Sequence, residues 1–134
     1  MKSILSILIF ILTMLFTGTA YSQPLGEDMK KILTYGDTRT LGPNNELLEY
    51  LNSGDEEIVT EALYALSGIA DSTTLDKINI QLDNNPSPKV REMAAFALGQ
   101  IGTQVSADYL LTALGKEKET NVLVAILEAL GKSG

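Results

Sequence analysis

REMAAFALGQIG, residues 91–102, has close echoes on both sides, TEALYALSGIA at 60–70 and VAILEALGKSG at 124–134. Superposing the three sets Ala65-Leu66 over Ala97-Leu98 over Ala129-Leu130, the same step along the chain each time. A fixed period of this length marks an array of repeated supersecondary units, none of which can hide its apolar side alone.

Within the middle copy the residues predict two helices. Over 74–82, Leu75, Ile78 and Leu82 share one stripe, with Asp76, Lys77, Asn79 and Gln81 on the outer face. Asp83-Asn84-Asn85-Pro86 is turn chemistry. Ser87 then stands as an N-cap, and Pro88 takes the first helical position, where its missing N–H costs nothing. The second helix runs to about Leu98, and Gly99 and Gly102 are expected to end it.

The neighbouring copies follow the same plan. The third offers Ala107, Leu110, Leu111 and Leu114, then Val122, Ile126, Ala129 and Leu130. The first offers Leu47, Leu48 and Leu51, a turn at Asn52-Ser53-Gly54, an Asp55 cap, then Ile58, Ala62, Ala65, Leu66 and Ile69. Its first helix falls one place short of the common step, as a shorter turn allows. Before it, 28–35 reads as a half-repeat with Met29, Ile32 and Leu33 on a stripe. Alanines at 62, 65, 94, 95, 97, 125 and 129 leave room for a helix on either side. The expected fold is all-α, an α-solenoid of stacked antiparallel helix pairs: about three repeats at 43–70, 71–102 and 103–134, behind a capping helix and linker at 23–42. Solenoids generally need a polar closing helix after the last unit and none follows here, so the expectation is either a chain truncated at its C-terminus or a C-terminal face that meets another molecule.

SPKVREMAAFALGQIG, residues 87–102, resembles the second helix of a HEAT repeat, in the short bacterial form called PBS-lyase HEAT-like. Val90, Arg91, Ala94, Ala95, Ala97, Leu98, Gly99, Ile101 and Gly102 fit that family's V-R-x-x-A-A-x-A-L-G-x-I-G pattern. The resemblance covers 43–134 and is strongest in the middle; Val59 and Leu123 stand where Arg91 does, so no continuous arginine ladder forms. It implies an α-solenoid whose usual work is holding other proteins, some members being subunits of enzymes that act on bilins.

Residues 1–22 have the layout of a secretory signal peptide. Lys2 precedes an apolar run over 4–16, and Gly18, Ala20 and Ser22 are small. Cleavage after Ser22 or Ala20 is expected, with export to the periplasm or medium; the run is shorter than the roughly 18 residues a membrane span needs. Losing Lys2 turns the net charge of −7 into −8. An acidic surface repels phosphate backbones and anionic lipid heads, so neither nucleic acid nor a membrane is expected as a partner after cleavage.

The chain has no histidine and no cysteine. Imidazole acid–base chemistry, thiolate nucleophiles and most zinc sites are thereby excluded, and no cofactor, metal or catalytic residue is expected. Gly131-Lys132-Ser133 lacks the first glycine of a phosphate loop and reads as a helix end. Asp55-Glu56-Glu57 reads as helix capping, where negative charge is favoured.

Opposite the buried stripe of each second helix lie Glu57, Thr60, Tyr64 and Ser67, then Lys89, Glu92, Phe96 and Gly99, then Asn121, Val124, Glu128 and Gly131. Side by side these rows would line a concave surface. Thr60, Tyr64, Arg91, Glu92, Phe96, Val124 and Glu128 are the candidate partner-binding residues. Tyr64 and Phe96 are the anchors, since aromatic rings dominate interface energetics. The expected function is a non-catalytic scaffold of the cell envelope that presents this surface to a protein or peptide. The second reading is an accessory domain or subunit of an enzyme whose catalytic part lies outside the chain.

Overall fold

The computed structural model describes residues 25–133, and the leader expected at 1–22 lies outside them. Seven α-helices are described: α1 Glu27–Thr38, α2 Glu46–Glu49, α3 Glu56–Ile69, α4 Leu75–Asn84, α5 Pro88–Ile101, α6 Gln104–Leu114 and α7 Thr120–Ser133. Single 3-10 turns at Pro43–Asn45, Tyr50–Asn52 and Ser72–Thr74 adjoin α2 and α4. No strand occurs among the described residues. α1, α3, α5 and α7 pack each on the next as one layer, while the Tyr50–Asn52 turn, α4 and α6 back them as the other. This is an α-solenoid, with α1 standing in the inner layer as the expected half-repeat.

The starts of the helices follow from side-chain caps. Asp55 accepts a hydrogen bond from the Glu57 amide at 2.9 Å and Ser87 from the Val90 amide at 3.3 Å. Thr103 and Ser106 form a reciprocal capping box. The ends follow the repeat too. Arg39, Ala70 and Gly102 are left-handed C-caps, with φ of 51°, 56° and 64°, and recur at the spacing of the units. The stop is thus a property of the repeated unit, and among these three described caps only one is glycine.

The core is one cluster, running from Ile32 through Leu63, Leu66 and Leu98 to Ile126 and Ala129. Several expectations need correction. Gly99 does not end α5: it lies buried inside that helix, where the missing side chain admits Ala129 of α7. Ser67, expected on the open face, is buried, with its hydroxyl bonded to the Tyr64 carbonyl at 2.6 Å. Gln81 is also buried rather than outward, and accepts from the Asn85 side chain at 2.9 Å. Leu33 and Leu111, placed on buried stripes, are exposed. The helix expected around Leu47 to Leu51 is a single short one, α2, that passes directly into the 3-10 turn at Tyr50–Asn52; Asn44 and Asn45, at positive φ, separate it from the 3-10 turn before it. α1 and α5 run about a turn beyond their expected ends, to Thr38 and Ile101, and α4 spans Leu75–Asn84 in place of the expected 74–82.

Candidate functional groove

The same translation that orders the core lays a row along the inner layer. Leu33, Tyr64, Phe96 and Glu128 follow one another at the repeat spacing, one from each inner helix. Tyr64 is 56% exposed and Phe96 half-buried. Their rings stack across α3 and α5, with centroids 6.4 Å apart and planes 14° from parallel. The Lys132 ammonium stands 5.1 Å over the Phe96 ring, close enough for cation–π attraction.

A hollow lies on either side of this aromatic pair. One, of about 290 Å³, is bounded by Leu33, Gly36, Asp37, Glu61, Tyr64 and Phe96. The other, of about 270 Å³, is bounded by Thr60, Glu92, Met93, Phe96, Glu128 and Lys132, among others. Phe96 belongs to both, so the two form one groove divided by a ridge. The lining carries Asp37, Glu61, Glu92 and Glu128 against Lys89 and Lys132. Lys89 already faces Glu56 at 3.7 Å. The groove is therefore apolar at its floor and acidic at its rim.

Of the residues singled out from sequence, Thr60, Tyr64, Glu92, Phe96 and Glu128 line these hollows. Val124 is exposed on α7, one turn before Glu128. Arg91 is not in the groove. Its guanidinium turns to the loop ends, donating to Glu117 at 2.8 and 3.1 Å and to the carbonyls of Asn85 and Pro86 at 3.0 and 3.2 Å. Glu117 also accepts from the Lys118 and Glu119 amides. The Arg91 hydrogen bond holds the Glu117 carboxyl down at about 2 and raises the arginine in turn. This clamp joins the α4–α5 turn to the α6–α7 loop. Leu33 is the groove residue that the apolar stripe hid; its place one unit before Tyr64 is the signal that would have found it.

A second polar cluster stands at the N-terminal end. Glu46 accepts from the Tyr35 hydroxyl at 2.5 Å and from Lys31 at 2.9 Å. The Tyr35 bond, and then Lys31, hold Glu46 below its ordinary range, while the bond to Glu46 pushes Tyr35 above its own. Both shifts lead away from neutrality, so neither group is poised to exchange a proton there. The cluster ties α1 to α2. Among the described residues no group of three or more acidic side chains is placed to hold a metal ion, and no helix is long and apolar enough to cross a membrane.

Comparison with known proteins agrees with this architecture. Residues 76–134 match the family model for HEAT repeats. The chain is 33% identical over 84 residues to the epoxyqueuosine reductase of Bacillus subtilis (strain 168), a stretch covering 60% of this chain and 22% of that protein. It is similar to the crystal structure of selenomethionine-labelled epoxyqueuosine reductase, with a TM-score of 0.55 and 30% identity, over 57% of this chain and 20% of that one. It is likewise similar to an epoxyqueuosine reductase solved with an epoxyqueuosine-modified tRNA-Tyr stem loop, with a TM-score of 0.55 and 27% identity, over 73% of this chain and 28% of that one. The chain thus spans less than a third of the length of each of these relatives.

Proposed function

We propose that this chain, whose residues 76–134 are HEAT repeats, is a non-catalytic accessory module of an enzyme that docks a protein segment in its groove. The observation that carries this reading is the stacked Tyr64–Phe96 pair, left open to solvent between two apolar hollows. Rings held rigidly by the backbone are ready-made anchors, so little ordering entropy is lost when a segment settles over them. The link to an enzyme is supported by the likeness to epoxyqueuosine reductases, of which the chain matches only a part. Lacking histidine and cysteine, the chain contributes holding and positioning, and chemistry belongs to a catalytic part beyond it.

The test is affinity capture from native extract with the intact chain and a Tyr64→Ala/Phe96→Ala double variant, each checked for helical content. A partner held by the first and released by the second supports the reading; equal retention by both removes it. The apolar run over 4–16 further supports export. Sequencing of the mature N-terminus should then begin at Gln23 or Tyr21.

A second reading has one observation in its favour: a relative solved with a tRNA stem loop. An RNA backbone would meet the carboxylates of Asp37, Glu61, Glu92 and Glu128 along this groove, and phosphate binding needs the opposite charge. Titration of the chain with a tRNA stem loop should show no saturable binding.

A further inference from the structure

Of the two hollows in the groove, only one contains basic side chains. Two residues before the C-caps Arg39, Ala70 and Gly102 stand Asp37, Gly68 and Gln100, and the same step along the chain reaches Lys132 of α7. The Lys132 ammonium lies over Phe96, the ring of the preceding inner helix, in the hollow that also holds Glu92 and Glu128. One unit earlier that place is Gln100 and two units earlier Gly68, and both line the other hollow. Neither brings a charge, and a Cβ built on Gly68 would meet nothing within 4 Å, so the space there is open.

This second hollow, between α1, α3 and α5, has the anionic half of such an arrangement without the cation. Its lining includes Asp37, exposed, and Glu61, half-buried, beside Leu33 and the stacked Tyr64 and Phe96 rings. The ion pairs among the described residues go instead to Glu46, Glu56, Glu117 and Asp83, and neither Asp37 nor Glu61 has a hydrogen-bonding or charged partner there. An apolar side chain seated in the hollow would take water from these carboxylates and return nothing, and an acidic one would be repelled. A long basic side chain satisfies every wall: its methylene stem lies on apolar surface, and its cation meets carboxylates and aromatic faces.

We infer that the hollow between α1, α3 and α5 receives a lysine or arginine side chain of the docked protein segment, with its stem against Leu33 and the aromatic pair and its cation held by Asp37 and Glu61. This rests on the docking function proposed above and adds the chemistry of the segment. The net charge of −7 acts in the same direction, drawing a basic segment toward the groove before contact.

Random peptides displayed on phage, selected on the full chain and depleted on its Tyr64→Ala/Phe96→Ala variant, test it. The expected peptides share a lysine or arginine beside apolar residues. By calorimetry, Asp37→Asn/Glu61→Gln at unchanged helical content weakens their binding by about tenfold or more, and the difference shrinks as salt is raised. Norleucine in place of the peptide's basic residue removes the difference between the two proteins, a coupling that a merely structural effect of the substitutions would not produce. Selected peptides without a basic residue, or binding unchanged by the neutral pair, overturn this inference and leave the docking function standing. Failure to select any peptide that distinguishes the full chain from the aromatic variant removes both.

Discussion

Gly99 and Ala129 touch backbone to backbone. A Cβ built on the glycine would stand 2.6 Å from the alanine's Cβ and 2.7 Å from its Cα. Part of the obstacle is main chain, so no rotamer change relieves it. Gly99→Ala should therefore cost about 1–3 kcal/mol as α5 and α7 are forced apart. Gly68→Ala, with nothing within 4 Å, should gain up to about 1 kcal/mol from helix propensity. Urea unfolding of the two variants decides whether close approach, and not helix termination, is the role of position 99.

Ala70 holds the left-handed place that Gly102 holds one unit later. A side chain there costs about 1 kcal/mol that glycine avoids. Ala70→Gly should raise the unfolding midpoint, after allowing for the greater freedom of the unfolded chain. Gly102→Ala should lower it. The same sign for both would contradict a shared stop geometry.

The Arg91–Glu117 clamp predicts an acid limb. The folded carboxyl titrates near 2 against an ordinary 4.5, so its contribution is complete above about pH 4.5 and fades as the pH falls toward 2. A shift of that size corresponds to on the order of 3 kcal/mol. Arg91→Met removes the guanidinium and leaves Glu117 enclosed, so it should cost about 3 kcal/mol at neutral pH and flatten the stability profile between pH 4.5 and 2. Chemical denaturation at a series of pH values reads both effects.

For the groove, Phe96→Ala should reduce partner affinity by about tenfold or more, while Thr60→Ala, at the edge of the same hollow, changes it little. Calorimetric titration with the partner identified by capture measures both. A Glu92→Lys/Glu128→Lys variant should weaken a partner that uses basic residues and leave a wholly apolar one unaffected.

The sequence carried the solenoid clearly because its signals are local. The constant translation, the caps at Asp55 and Ser87 and the alanines of the inner helices each act within one unit. Contacts between units were harder to read. Gly99 looks like a terminator, because glycine near a helix end usually is one; only its distance to Ala129, on the next inner helix, reveals a packing contact. Arg91 sits beside groove residues on a helical projection, but Glu117, brought close by the α6–α7 loop, draws it to the other end of the turn. Five of the seven candidate residues line the groove because period and exposure coincide there. Leu33 escaped because an apolar residue on a stripe is ordinarily core.

Each inner helix leans chiefly on its immediate neighbours, so the molecule has few connections linking its two extremities. Such an assembly behaves mechanically as a short ribbon rather than a ball. Its curvature can flex by small rotations shared among the α1–α3, α3–α5 and α5–α7 seams, widening or tightening the inner channel without breaking any single layer. Amide exchange would then slow toward α3 and α5 and quicken toward both tips, a gradient that a centrally organised bundle would lack.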